Sequence, residues 1–161
     1  FILVVYFSIL RETGRCTSVD ETDKVLNTDG IPTDQGESLE LCAGLIDKDD
    51  FGPAETAVSE VLEECGYKIR QSDLRFIDSF RSGLGLLGNK MTLFYTEVTE
   101  SQRVPGAGGG LVEEGEVIEI VQWPIEKLDS LLEAKSDRPP TSTTLLYALY
   151  WFKSNVLPSL V

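Results

Sequence analysis

Between Ser59 and Tyr67 acidic residues fall at positions 60, 63 and 64, and a glycine follows at 66. On a helix, residues three and four apart share a face, so Glu60, Glu63 and Glu64 fan over roughly 100° of arc. Ala57, Val58, Val61, Leu62 and Cys65 fall on the opposite side, as a core stripe does. Pro53 suits the first turn, where its missing N–H costs nothing, and Gly66 suits the left-handed position that ends a helix. Like charges crowded on one stripe repel and weaken the helix. A hard divalent cation removes that cost, because Mg²⁺ takes carboxylate oxygens together with substrate phosphates. A solvated acidic face is the alternative that the bare spacing allows.

Composition narrows the chemistry. The chain has 161 residues, a length suited to one domain with a substantial core. Its net charge of -13 argues against nucleic acid or an anionic membrane surface as partner. An acidic protein that handles phosphate needs a metal between the two. Histidine is absent, which removes imidazole bases, His-based triads and His zinc ligands. A general base must then be a carboxylate, or less readily Lys or Tyr. Cys16, Cys42 and Cys65 show no C-x-x-C spacing, so reduced thiols in a cytoplasmic protein are expected. Phe1–Leu10 is apolar but too short to span a bilayer, and it lacks the basic start of a secretory signal.

Periodicity predicts strands over Ile2–Leu10, Leu39–Asp47, Leu74–Phe80, Met91–Val98 and Val117–Trp123. A glycine-rich turn joins the third and fourth at Gly83–Gly88. Arg11–Ser38 is a long polar excursion marked by turn residues. Helices are predicted over Glu126–Glu133 and Thr143–Val156, the last with Tyr147, Tyr150, Trp151 and Phe152 for core or dimer packing. The glycine run Gly106–Gly110 lacks the Lys-Ser/Thr ending of a phosphate loop, so a flexible loop is expected.

Leu41-Cys42-Ala43-Gly44-Leu45-Ile46-Asp47, an acidic loop, the acidic helix and Gly66-Tyr67 together resemble the Nudix box, G-x5-E-x7-R-E-U-x-E-E-x-G-U. Gly44, Glu60, Val61, Glu63, Glu64, Gly66 and Tyr67 match it. Ala43-Gly44-Leu45-Ile46-Asp47, Phe94–Thr99 and Gly108–Glu116 are similar to the nucleoside-diphosphate-sugar branch of that family, and to its UDP-glucose hydrolases in particular. Two positions depart. Gly44 is one residue too far from the helix, leaving Asp49, Asp50 or Glu55 near the first box glutamate, and Ser59 stands where the box has arginine.

The resemblance implies an α/β fold, the Nudix α/β/α sandwich around a mixed sheet, over a single domain spanning 1–161. With no initiating methionine and no Gln-Phe-Arg-Pro segment in Phe1–Gly14, N-terminal truncation is expected. It also implies Mg²⁺, or Mn²⁺, held by Glu60 and Glu64 with Glu63 and the Ala43 carbonyl. Glu116 is the implied base, with Glu113 and Glu114 as alternatives. The implied reaction is hydrolysis of a nucleotide-sugar diphosphate, UDP-glucose favoured, to nucleoside monophosphate and sugar 1-phosphate, by a homodimer. ADP-ribose hydrolysis and a catalytically weak binding domain are the alternatives.

Overall fold

Val4–Phe7 is a run of bulky and β-branched residues and forms strand β1, which pairs antiparallel with β2 (Leu39–Leu41) and with β5 (Val121–Gln122). The computed structural model describes residues 4–7, 37–84, 88–111, 116–133 and 140–160. Register sets Val5 opposite Leu41 on one side and Val121 on the other. A parallel bridge from Leu39 to Thr141 makes the pairing mixed, and the Leu39 N–H donates to the Pro140 carbonyl at 2.7 Å. The strands predicted over Leu39–Asp47 and Val117–Trp123 are shorter than their apolar runs. Beyond Leu41 the chain leaves the ladder, and Ala43 through Asp50 is exposed.

A second ladder joins β3 (Arg75–Ser82) to β4 (Asn89–Tyr95), with an irregularity between Phe76 and Asp78. The turn closes by a bond from the Gly88 N–H to the Gly83 carbonyl at 3.1 Å, both glycines having positive φ. Phe76 meets Phe94 edge-on across the pair, with ring centroids 6.0 Å apart.

The main core lies where α2 (Leu128–Leu132) and α3 (Thr143–Asn155) meet β2. Leu39, Leu128, Leu131, Leu145, Leu149, Phe152 and Val156 are buried together there. Full burial of each such side chain contributes about 1.5–3 kcal/mol. Ser142 caps α3 by accepting the Leu145 N–H at 3.2 Å. Tyr147 and Trp151, one helical turn apart, dock α3 on the hairpin: Tyr147 meets Phe80 at 5.4 Å and Trp151 meets Tyr95 at 5.7 Å. Phe152 joins the core, whereas Tyr150 is exposed. The aromatic cluster of this helix is therefore mainly intramolecular packing. The segment predicted as a polar excursion lies largely outside the described residues.

α1 spans Pro53–Cys65, with proline in its first turn and Gly66 ending it at φ 74°. Glu55 accepts the Gly52 N–H at 3.1 Å, the half of a capping box that a glycine N-cap permits. The other end is the exceptional one. Its last turn carries Glu63 and Glu64 and no basic residue, although the helix dipole is negative there. Nor does α1 divide cleanly into an acidic and an apolar face. Glu64 is 2% exposed, while Val61 and Leu62 are only partly covered.

Candidate active site: a carboxylate cluster at the end of α1

What draws Glu64 inward is the segment that follows β2. The Ala43 N–H donates to Glu64 Oε2 at 3.1 Å, and the Cys42 thiol also hydrogen-bonds this carboxylate. Those two bonds favour the charged form, yet burial outweighs them and pushes the Glu64 carboxyl up to about 7, with the charges of Glu60 and Glu116 adding to the shift. Glu60 also lies above the ordinary carboxylate range, first by burial and then by the charges of Glu63 and Glu116. The cluster holds more negative charge than its surroundings compensate.

Gly44 packs directly against Glu60. A Cβ placed on Gly44 comes within 1.8 Å of Glu60 Oε1, so no side chain fits there without displacing that carboxylate. This close approach gives a physical reason for the glycine after Ala43.

Glu116 lies near enough to the cluster for its charge to act on Glu60 and Glu64. The glycine run predicted as a flexible loop contacts α1 in this structure. Gly109 and Gly110 donate their N–H groups to the Glu64 and Glu63 carbonyls at 2.9 and 3.2 Å, satisfying acceptors that a helix C-terminus leaves open. Both glycines have positive φ, a conformation costly to other residues. Glu116 Oε2 in turn accepts the Leu111 N–H at 2.9 Å. Glu113 and Glu114 lie outside the described residues.

Glu63 accepts a hydrogen bond from Ser59 Oγ at 2.7 Å, and Lys48 Nζ stands 3.9 Å from the same oxygen. Of the residues considered for the first box glutamate, Glu55 is engaged at the helix N-terminus and also accepts from Gln71 Nε2 at 3.0 Å. Asp49 and Asp50 are exposed in the turn before α1. Sequence reasoning missed Lys48, Asp47 and Cys42. Asp47 adds to the field that raises Glu60, Lys48 opposes it, and Cys42 hydrogen-bonds Glu64. Lys48 left little trace in the sequence because its partner is set by the path of the loop, not by a short-range spacing.

Among the described residues no three Cys, Asp or Glu side chains are gathered closely enough to coordinate an ion as they stand. The donor chemistry nevertheless fits a hard divalent cation: carboxylate oxygens, uncompensated charge, and a buried acid whose ionisation is disfavoured. A cleft of about 480 Å³ opens beside the cluster, lined by Ala43, Gly44, Glu60, Phe94, Tyr95 and Trp123 among others. A second cleft of about 800 Å³, lined in part by Lys68, Arg70, Arg75 and Gln102, contains none of the four carboxylates.

The NUDIX domain model matches residues 8–145, and the chain belongs to the Nudix family. The α/β architecture described above is that of its fold. Uridine diphosphate glucose pyrophosphatase NUDT14 of Mus musculus is 39% identical over 149 residues, covering 91% of this chain and 65% of that protein. The Bos taurus protein of the same name is 43% identical over 132 residues, covering 81% of this chain and 57% of the relative. GDP-mannose pyrophosphatase of Pectobacterium atrosepticum is 34% identical over 107 residues, covering 63% and 52%. The chain thus spans less than two thirds of the length of each of these relatives.

Proposed function

We propose that this chain hydrolyses the diphosphate of a nucleoside diphosphate sugar, UDP-glucose in preference, releasing a nucleoside monophosphate and a sugar 1-phosphate. The observation that carries the proposal is the field linking Glu60 and Glu64 of α1 with Glu116, which comes from a separate segment far along the chain. The names of the mammalian and bacterial relatives support a nucleotide sugar as substrate.

Glu60 and Glu64, with Glu63 and the Ala43 carbonyl, would hold the divalent cation, Mg²⁺ or Mn²⁺. When bound, that ion neutralises phosphate charge and lowers the pKa of the attacking water. Glu64 is kept in place by Ala43 and Cys42. Glu116 accepts a proton from the water that attacks phosphorus in line, its carboxylate oriented by the Leu111 N–H. The absence of histidine leaves this role to a carboxylate. The cleft beside Gly44 receives the nucleotide-sugar, its aromatic lining offering faces for a base. A homodimer in the cytoplasm completes the proposal. Exposed Phe76 and Tyr150 offer apolar surface for association, and the charge of -13 supports a small-molecule substrate over nucleic acid or membrane.

The test is kcat/KM for UDP-glucose, GDP-mannose and ADP-ribose measured side by side with Mg²⁺. UDP-glucose is expected to be turned over fastest. Faster GDP-mannose or ADP-ribose hydrolysis keeps the chemistry and changes the substrate. Folded protein that binds metal but turns over none of the three is a binding domain.

A further inference from the structure

Ser59 leaves the carboxylate cluster without the cation that the box places next to Glu60, yet the cluster does not lack one. Lys48 approaches it from the loop before α1. Its Nζ lies 3.9 Å from Glu63 Oε1, and its charge is the cation that opposes the upward shift of Glu60. Ser59 Oγ donates to the same Glu63 Oε1 at 2.7 Å. Both contacts fall on one oxygen, and Oε2 carries no hydrogen bond or ion pair among the described residues. Lys48 is itself held. Its ammonium lies 5.2 Å from the centroid of the Phe51 ring, and its carbonyl accepts the Phe51 N–H at 3.0 Å. An exposed lysine (55% for its side chain) is otherwise free to wander in solvent; the ring contact restricts its ammonium, and the backbone bond fixes the turn that carries it.

We propose that Lys48 and Ser59 are positioning residues that together replace the missing arginine: they fix Glu63 through Oε1 and leave Oε2 to face the cation. Neither touches substrate in this scheme; both act through Glu63. The inference rests on the metal-dependent function proposed above, but its geometry can be tested apart from turnover. Serine supplies the directional bond and lysine the charge, the two things a guanidinium supplies at once.

The first experiment records the side-chain carboxyl ¹³C resonance of Glu63 by NMR in chelator-treated protein. Lys48→Met and Ser59→Ala are each expected to move it, and Lys48→Arg to leave it close to the wild-type position. A resonance unmoved by both removals overturns the proposal, whatever the protein does or does not hydrolyse. The second measures Mn²⁺ binding by calorimetry. An exposed ion pair changes an equilibrium modestly, so Lys48→Met is expected to weaken Mn²⁺ roughly two- to five-fold with an unchanged Tm. Lys48→Arg, or Ser59→Arg added to Lys48→Met, should restore it. Equal Mn²⁺ affinity in wild type and Lys48→Met overturns the proposal, as does failure of both arginine variants to rescue.

Discussion

The backbone N–H of Ala43 donates to the side-chain carboxylate of Glu64 across 21 positions of sequence, at 3.1 Å. That bond joins the loop leaving β2 to the last turn of α1, and it carries a charge-bearing group into the interior. An isolated buried carboxylate is costly to ionise, and two hydrogen bonds do not remove the cost. The site is therefore unfavourable in the absence of a counter-charge.

This cost has a pH signature in metal-free protein. The Glu64 pKa rises from 4.5 to about 7 on folding. Below about pH 4.5 both states hold the proton and the stabilising difference is fully present; as pH rises through about 7 the folded state must ionise and that difference is lost. At about 1.4 kcal/mol per unit the loss is on the order of 3 kcal/mol. Chemical denaturation of chelated protein should show it across this window. Glu64→Gln should flatten the profile, and Mg²⁺ at pH 8 should raise Tm in wild type but not in the variant.

Gly44→Ala tests whether the close approach to Glu60 matters. The new Cβ would sit 1.8 Å from Glu60 Oε1, a distance no pair of atoms tolerates. Glu60 has a flexible stem and is only partly buried on α1, so the carboxylate gives way and the fold does not. We expect Tm within a few degrees of wild type with Mn²⁺ binding weakened at least about ten-fold, roughly 1.4 kcal/mol. Unchanged binding would mean that Glu60 does not hold the ion.

Gly110→Ala addresses Glu116 separately. Gly110 has φ 77°, and a Cβ there meets Ile118 Cδ1 at 2.6 Å and Glu116 Oε2 at 2.9 Å. Backbone strain costs about 1 kcal/mol or more, and the displaced Glu116 loses its place. The expected result is a large fall in kcat with Mn²⁺ affinity nearly unchanged. Parallel loss of both would assign Glu116 to the metal rather than to the water.

Leu149→Ala tests the main core. Leu149 is 0% exposed within the α2–α3–β2 cluster. Truncation of such a residue costs about 2–5 kcal/mol, which denaturant titration will detect.

The acidic helix was legible because its determinants are local: proline at one end, glycine at the other, and three glutamates at helical spacing. The same locality explains why α3 and the β3–β4 hairpin fell close to their predicted bounds. The burial of Glu64 was not legible, because helical geometry tells which residues share a face but not what packs on it. Its burial is decided by Ala43, a long way off in sequence. Strand ends failed for a related reason: Ala43 through Asp47 reads as a continuation of β2, but the segment turns out of the ladder toward α1. The docked glycine loop and the place of Lys48 depend likewise on tertiary contact. The Glu60–Glu63–Glu64 set was read from helical spacing and Glu116 from motif resemblance, and the field that links them emerged only from the fold.

The most direct test of the account is product analysis after incubation of the protein with UDP-glucose and Mg²⁺, with and without chelator. The account predicts UMP and glucose 1-phosphate in equal amounts, formation that stops with chelator, and a fall of about 100-fold or more in Glu64→Gln with the fold intact. UDP-glucose cleaved equally well in chelator, or by Glu64→Gln, would contradict it.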